Sequence, residues 1–210
     1  MTMRPELHGL YVITDAGLIP PERLEERVAA AIRGGARIVQ YRDKTTEHER
    51  RLAEAARLQA LCARAGAALI INDDVELARE TGAAGVHIGE DDAALDEARA
   101  RLGPQAIIGV SCYDDLARAR VAQAAGADYV AFGAFFPSPT KPNARTASLD
   151  LLVEAKHALG LPVCAIGGIR AEHAPRLIAA GADMLAVITA VFAARDVEAA
   201  AREIARAFAD

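Results

Sequence analysis

The segment from Gln40 to Lys44 places two cations and an amide directly after a short apolar run. Side chains of an extended chain alternate, so we expect Gln40, Arg42 and Lys44 on one side of the strand. Tyr41 and Asp43 then point to the other side. Arginine binds phosphate through two parallel hydrogen bonds, and lysine adds a point charge. The segment therefore predicts a phosphate site, with a solvated charge pair at a strand end as the alternative.

Three adjacent polar residues, Asn72, Asp73 and Asp74, follow another apolar run and precede a helical pattern. In α/β proteins, ligands bind outside the carboxyl ends of parallel strands, so this is a candidate ligand site. One of the acids could serve only as the cap of the next helix. Three polar groups exceed what one cap needs.

Residues 90–92 place three more carboxylates after the next apolar run. Acids on neighbouring strand ends, facing Arg42 and Lys44, would supply oxygen ligands that Mg²⁺ prefers beside phosphate. This pattern predicts a magnesium-bound phosphate or pyrophosphate. The alternative for residues 90–92 is that acids in a first helical turn favour the helix dipole.

Further along the chain, Ser111 could donate to phosphate or cap a helix beginning near Asp114. His87 is interpreted as an oriented or packed strand residue rather than a ligand or base. Cys112 could be a nucleophile, but no base for it is identifiable, so an inert thiol is favoured.

The irregular stretch 133–147 contains three prolines, small hydroxyls and one lysine, which is typical of a lid or binding loop. Its prolines would hold Thr140 and Lys141 over an anion at little entropic cost. The glycine pair at 167–168 and the strand end at 188–190 indicate a second phosphate, because such loops in barrels bind phosphate through backbone N–H groups.

These residues require strands that end at one common edge. Eight apolar runs alternate with Ala-rich amphipathic stretches, and four helix-to-strand turns contain glycine. The strand runs are 9–14, 38–41, 68–71, 85–88, 106–110, 129–132, 162–166 and 184–188. The pattern predicts a (β/α)8 TIM barrel. A doubly wound open sheet is the alternative, disfavoured because no G-x-G-x-x-G opens the first helix.

The composition bounds the class of protein. At 210 residues with 52% hydrophobic residues, we expect one domain spanning residues 1–210. A net charge of -5 argues against nucleic acid or a membrane as partner and favours small-molecule substrates. The absence of a long apolar run or signal-type segment predicts a cytoplasmic protein, and three scattered cysteines predict reduced thiols. The sequence leaves open whether the chain is a homo-oligomer.

Together the motifs resemble the thiamine phosphate synthase family along nearly the whole chain, from Leu10 to Ala190. The family joins hydroxymethylpyrimidine diphosphate to a thiazole phosphate, in its plain or carboxylated form, and releases pyrophosphate. The motifs that carry the resemblance are residues 40–44, 71–74, 85–92, 109–111, 137–141 and 166–169.

The resemblance also implies site residues. The pyrimidine diphosphate would contact Gln40, Arg42, Lys44, Asn72, Ser111 and Lys141, and Mg²⁺ would be held by Asp73 and Asp92. The thiazole phosphate would contact Ser138, Thr140, Gly168, Ile188 and Thr189. Tyr41, Asp43 and Pro139 complete the substrate-binding motifs, and Arg42, Lys44, Ser111 and Lys141 are the catalytic candidates. The family often has Thr at 138 and Ser at 189, so both departures keep a hydroxyl.

The implied reaction loses pyrophosphate first, with Mg²⁺ and the cations stabilising the leaving group, before the thiazole nitrogen attacks. Two alternatives remain. A thiazole tautomerase has a similar sequence and fold but needs neither magnesium nor a pyrophosphate site. The tautomerase alternative is disfavoured by the presence of Asn72, Asp73, Asp92 and Lys141. A barrel without catalysis that only binds thiamine precursors is the other.

Overall fold

The computed structural model describes residues 6–89, 93–137 and 146–209 of the chain. Strands and helices alternate throughout these ranges. The strands are β1 Gly9–Ile13, β2 Ala36–Tyr41, β3 Ala68–Asn72, β4 Gly85–Ile88, β5 Ile107–Tyr113, β6 Tyr129–Phe132, β7 Val163–Ile166 and β8 Met184–Val187. The helices are α1 Leu24–Arg33, α2 His48–Ala65, α3 Val75–Thr81, α4 Ala93–Leu102, α5 Leu116–Ala124, α6 Leu149–Ala158, α7 Ala174–Ala179, α8 Thr189–Phe192 and α9 Val197–Ala205.

The eight strands form a closed barrel in sequence order, and β8 pairs in parallel with β1. This confirms the predicted (β/α)8 barrel over the open sheet. All strand runs predicted from the sequence are present, with ends that differ by a few residues. The largest difference is β5, which continues to Tyr113 through an irregularity in its pairing with β6. Tyr113, the last residue of β5, has a φ of 55°, a left-handed conformation at the point where the chain leaves the strand towards α5.

Alternate strand residues face two separate cores. The interior of the barrel contains Tyr11, Ile38, Ile70 and Tyr129 among others, all nearly inaccessible to solvent. Their strand neighbours, such as Val39, pack outward against the helices. Because the period of a strand is two, the residue type at each position decides which core it enters. Gln40 and Ser111 share the parity of the interior residues and lie near the carboxyl ends of β2 and β5.

Helix α2 shows how an amphipathic helix covers the barrel. Leu58 and Cys62 lie one turn apart on its buried face, which packs over the outer core. Within the described ranges, no helix combines the length and apolar character needed to cross a bilayer.

Candidate active site

Strand β2 carries two of the predicted site residues at the carboxyl end of the barrel. Gln40 is 3% exposed, and its Nε2 donates to the Tyr11 hydroxyl at 2.7 Å inside the barrel. Arg42 follows two residues later, with its backbone N–H bonded to Thr14 Oγ1 at 2.9 Å. Its guanidinium lies 3.5 Å from Asp15 Oδ2, so the loop after β1 orients this cation. Lys44 is exposed beyond them.

Tyr41 and Asp43 lie on the opposite side of β2, as the alternation predicted. The Tyr41 hydroxyl donates to Glu54 Oε2 at 2.6 Å, and Asp43 accepts from Arg50 at 2.8 Å. Arg50 also bonds Glu54 Oε1 at 2.9 Å. Its hydrogen bonds to Glu47, Glu54 and Asp43 together raise the pKa of the guanidinium. Burial and the Glu54 carboxylate raise the pKa of Tyr41. The structure thus places these two residues in a cluster under α2 that braces the strand end.

The three polar residues after β3 have separate positions. Asp74 caps α3, accepting from Leu77 N at 2.9 Å, which confirms the cap interpretation for this residue. Asp73 is exposed and has a φ of 61°, and Asn72 Nδ2 donates to its Oδ2 at 2.7 Å. The backbone N–H of Asp73 bonds His87 O at 2.8 Å, which ties this turn to β4. Asn72 and Asp73 therefore form one polar pair at the strand end.

Ser111 lies at the end of β5 and is bonded to β4. His87 Nε2 is 2.9 Å from Ser111 Oγ, and His87 Nδ1 is 2.9 Å from the Tyr129 hydroxyl. The cap of α5 is Asp115, which accepts from Ala117 N at 2.8 Å, so the proposed capping role of Ser111 is wrong. His87 is an oriented strand residue stacked on Tyr129, as the sequence predicted, with ring centroids 5.5 Å apart.

The loops after β6 and β7 are bonded to each other. Phe135 N donates to Ile166 O at 3.2 Å and Phe136 N to Gly167 O at 3.0 Å. Gly168 has a φ of 63°, and a Cβ there would lie 2.5 Å from the carbonyl oxygens of Phe136 and Pro137. Only glycine fits this close approach without a shift of the loop.

A cavity of about 490 Å³ opens between the loops after β7 and β8. Its lining includes Gly167, Gly168, Ile188 and Thr189, four of the residues expected at a second phosphate. Pro137 from the loop after β6 contributes to its edge. The cavity combines polar and apolar groups, as small-ligand sites do. Its remaining lining includes both charged and apolar side chains, namely Arg170, Glu172, Glu203, Ile169 and Ile204.

Several predicted site residues lie outside the described residues, namely Asp92, Ser138, Pro139, Thr140 and Lys141. The same is true of Glu90 and Asp91. In the part of the chain that the structure describes, no group of three or more His, Cys, Asp or Glu side chains could hold a metal. Because Asp92 lies outside the described residues, Asp73 is the one predicted magnesium ligand whose position the structure describes.

All three cysteines are buried, and none is part of a disulfide. Burial raises the pKa of Cys62 to about 12 and raises that of Cys164 as well. Cys112 has 0% exposure in the outer core, away from Ser111 on the same strand. These buried positions favour the inert-thiol interpretation.

Sequence reasoning missed the residues that connect the predicted ones. Tyr11 and Tyr129 lie inside the barrel, where their hydroxyls are 3.0 Å apart. Arg118 ties the ends of β4 and β5 by donating to Gly89 O at 3.0 Å and Ser111 O at 2.8 Å. A tyrosine with interior parity in an otherwise aliphatic strand was the available signal, because a buried hydroxyl requires a partner.

The fold and site define a (β/α)8 barrel with polar groups gathered at the carboxyl ends of its strands. The family described as thiamine monophosphate synthase matches residues 10–191. The chain belongs to this family and is an enzyme of the transferase class.

Relatives match over nearly the full chain. The thiamine-phosphate synthase of Thioalkalivibrio sulfidiphilus is 55% identical, covering 96% of this chain and 96% of its own. That of Nitrosococcus oceani is 54% identical over 95% of this chain and 92% of its own. The solved structure of thiamine phosphate pyrophosphorylase from Pyrococcus furiosus has a TM-score of 0.88 and 34% identity, covering 97% of this chain and 96% of its own.

Proposed function

We propose that the protein condenses 4-amino-2-methyl-5-hydroxymethylpyrimidine diphosphate with a thiazole phosphate, forming thiamine phosphate and pyrophosphate. The new bond joins the pyrimidine methylene carbon to the thiazole nitrogen, and the carbon–oxygen bond to the diphosphate breaks. Membership of the family and the names of the full-length relatives support this reaction.

The observation that carries the proposal is the division of the barrel's carboxyl end into two adjoining parts. Gln40, Arg42, Asn72 and Ser111 occupy the ends of β2, β3 and β5. The cavity of about 490 Å³ occupies the ends of β7 and β8. Two parts of different chemistry suit a reaction with two substrates, one with a diphosphate and one with a phosphate.

In this assignment the part with the cation holds the pyrimidine diphosphate. Arg42 is anchored from the backbone by Thr14 and from its guanidinium by Asp15, which keeps it in place before substrate arrives. Preorganised charge stabilises a leaving group without reorganisation at the moment of reaction. Tyr41 and Asp43 contribute by bracing this strand end against α2.

The cavity between the loops after β7 and β8 takes the thiazole phosphate. Gly168 lets the loops after β6 and β7 approach each other closely, and residues of both loops line the cavity. Ile188 offers an apolar surface for the ring, and Thr189 a hydroxyl. Ser138, Thr140 and Lys141 are proposed to complete both parts from the loop after β6.

Asp73 fits a role in magnesium binding. Its carboxylate is exposed at the strand end, and the Asn72 amide orients one of its oxygens. Hard oxygen donors of this kind, supplemented by water and phosphate oxygens, suit Mg²⁺. Asp92 is proposed as the second ligand. When bound, Mg²⁺ would neutralise negative charge on the diphosphate.

The residues of the chain act mainly by positioning and by electrostatics. Arg42, Lys44 and Lys141 would stabilise the departing pyrophosphate, while Ser111 donates a hydrogen bond to it. The pyrimidine methylene would then develop carbocation character and be captured by the thiazole nitrogen. This route needs no protein nucleophile, in keeping with the buried, inert cysteines.

The test is a set of omission assays on the purified protein. Pyrophosphate release should require the pyrimidine diphosphate, the thiazole phosphate and Mg²⁺ together. Aromatisation of a thiazole precursor alone, without Mg²⁺, would indicate the tautomerase instead. Tight binding of the substrates without pyrophosphate release from the complete mixture would indicate the non-catalytic barrel.

A further inference from the structure

A continuous hydrogen-bond chain crosses the interior of the barrel. Gln40 Nε2 is 2.7 Å from the Tyr11 hydroxyl, which is 3.0 Å from the Tyr129 hydroxyl. Tyr129 is 2.9 Å from His87 Nδ1, and His87 Nε2 is 2.9 Å from Ser111 Oγ. The two ends of the chain, Gln40 and Ser111, are both proposed substrate contacts. The three middle members have no role in the proposed reaction.

The chain is closed off from water at its centre. Tyr11 is 1% exposed and Tyr129 0%, and their rings meet edge to face. Burial raises the pKa of both hydroxyls, so each remains protonated with one proton to donate. A buried donor that loses its partner costs the full desolvation penalty, so the members are obliged to bond one another.

The chain has one polarity. With the amide nitrogen of Gln40 facing Tyr11, that nitrogen can only donate, so the Tyr11 hydroxyl accepts from it and donates its own O–H to the Tyr129 hydroxyl. Tyr129 then donates to His87 Nδ1, which places the ring proton on Nε2, facing Ser111. The Ser111 hydroxyl accepts there and keeps its own proton for a ligand.

If every hydrogen bond of the chain ran in the opposite direction, Gln40 and Ser111 would present different groups to a substrate. That direction would turn Gln40 Oε1 toward Tyr11 and consume the Ser111 proton on His87. Anion binding at Ser111 needs the first polarity, because a phosphate oxygen accepts hydrogen bonds and the Ser111 hydroxyl must then donate. The same polarity leaves Oε1 and one N–H of Gln40 outside the chain of hydrogen bonds and available to a substrate. Oε1 can accept from an amino group while the N–H donates to the neighbouring ring nitrogen. In a 4-oxo pyrimidine the same positions hold a carbonyl and a ring N–H, so acceptor would face acceptor and donor would face donor.

We propose that Tyr11, Tyr129 and His87 are positioning residues that hold the Gln40 amide and the Ser111 hydroxyl in one orientation. The active site thereby selects an aminopyrimidine diphosphate over its 4-oxo counterpart. This inference rests on the proposed function, since it concerns recognition of the same substrate.

The experiment compares the 4-amino and 4-oxo pyrimidine diphosphates in wild type, Tyr11→Phe and Tyr129→Phe. Equilibrium binding by calorimetry measures selection directly, and pyrophosphate release measures turnover. Each substitution keeps the ring in the core but cuts the chain, so the Gln40 amide is free to rotate. We expect the preference for the amino compound to fall about tenfold in either variant, as for the loss of one oriented hydrogen bond. The KM of the thiazole phosphate should stay unchanged.

Cys164→Ala is the matched control, because Cys164 lies in the same inner core as both tyrosines but outside the chain. It should lower thermal stability without altering the preference. An unchanged preference in both tyrosine variants, with wild type active, would overturn the inference alone. A wild type that binds neither pyrimidine and releases no pyrophosphate would overturn the proposed function and this inference with it. An equal rise in the KM of the pyrimidine diphosphate and of the thiazole phosphate would indicate a merely structural role for the tyrosines and would also overturn the inference.

Discussion

Arg51 on α2 donates through Nη2 to Asp74 Oδ2 at 2.9 Å, while Asp74 Oδ1 accepts from Leu77 N at 2.9 Å. Both oxygens of the Asp74 carboxylate therefore accept hydrogen bonds from groups of the protein itself. Asp73, its neighbour, is exposed and turned into the left-handed region. Two adjacent acids of the same type thus have different surroundings, which suits the different tasks proposed for them.

Substitution of the two acids should separate those tasks. Asp74→Ala removes a helix cap, so the free energy of unfolding should fall by about 1 kcal/mol or slightly more, with an unchanged Mg²⁺ requirement. Asp73→Asn should leave stability almost unaltered and raise the Mg²⁺ concentration for half-maximal activity. Denaturant titration and magnesium-dependent pyrophosphate release measure the two effects. An unchanged magnesium midpoint in Asp73→Asn would contradict the metal assignment.

Lys141→Ala should lower turnover severely with the fold intact. The substitution removes the lysine ammonium that is proposed to stabilise the negative charge of the leaving pyrophosphate. Steady-state assays and circular dichroism are the measurements. Lys156→Ala is the control, since Lys156 forms a partly exposed ion pair with Asp183 at 2.6 Å. Near-normal turnover in Lys141→Ala would rule out this role for the lysine.

Arg50→Met should destabilise the protein by about 3 kcal/mol at pH 7, because it leaves two nearly buried carboxylates unpaired. Asp43 and Glu54 have side chains only 2% and 4% exposed, whereas Arg50 is 29% exposed, which favours the lower end of the usual range. Chemical denaturation of both proteins across pH 3 to pH 7 checks this.

The pH dependence has a definite sign. Burial alone would raise the pKa of Asp43, but hydrogen bonds from Thr45 and Arg50 outweigh it and hold the pKa below the ordinary 3.8. Its stabilisation is therefore present above pH 3.8 and is lost as the pH falls through the lower folded value. The deficit of Arg50→Met should shrink in acid, where Asp43 is protonated. A deficit that does not change with pH would contradict this account. Arg23→Met, which removes an exposed pair with Glu26, should cause no measurable change.

Gly168→Ala should destabilise the protein and raise the KM of the thiazole phosphate. The new Cβ would meet the Phe136 and Pro137 carbonyls at 2.5 Å, so the loops after β6 and β7 must separate. Gly66→Ala is a matched control, because Gly66 has a φ of 71° but no atom within 4 Å of the added Cβ. It should lose only the roughly 1 kcal/mol of left-handed strain. Equal effects from the two substitutions on KM would refute the close-approach argument.

The three thiols should not react with a disulfide reagent at pH 8 while the protein is folded. Burial raises the pKa of Cys62 to about 12, and the thiolate is the reactive species. All three should react after denaturation, which a colorimetric titration with and without guanidinium would show. Rapid reaction of one thiol in the folded enzyme would contradict the burial of the three cysteines.

The sequence by itself determined the barrel, because its apolar periods of two and 3.6 alternate along the chain and repeat eight times. It also determined which β2 residues share a side, since Gln40 and Tyr41 lie on opposite sides as alternation requires. These are local properties, set by strand geometry and by residue type.

The tertiary structure alone decided the partners. That Asp74 is a cap bonded to Arg51, and that Ser111 bonds His87 rather than capping a helix, depends on residues 23 and 24 positions apart in the chain. The link between Tyr11 and Tyr129 spans 118 positions. Periodicity specifies the face a side chain points to, but closure of the barrel brings distant strands within hydrogen-bond distance. Which buried polar groups then meet is therefore a property of the closed fold.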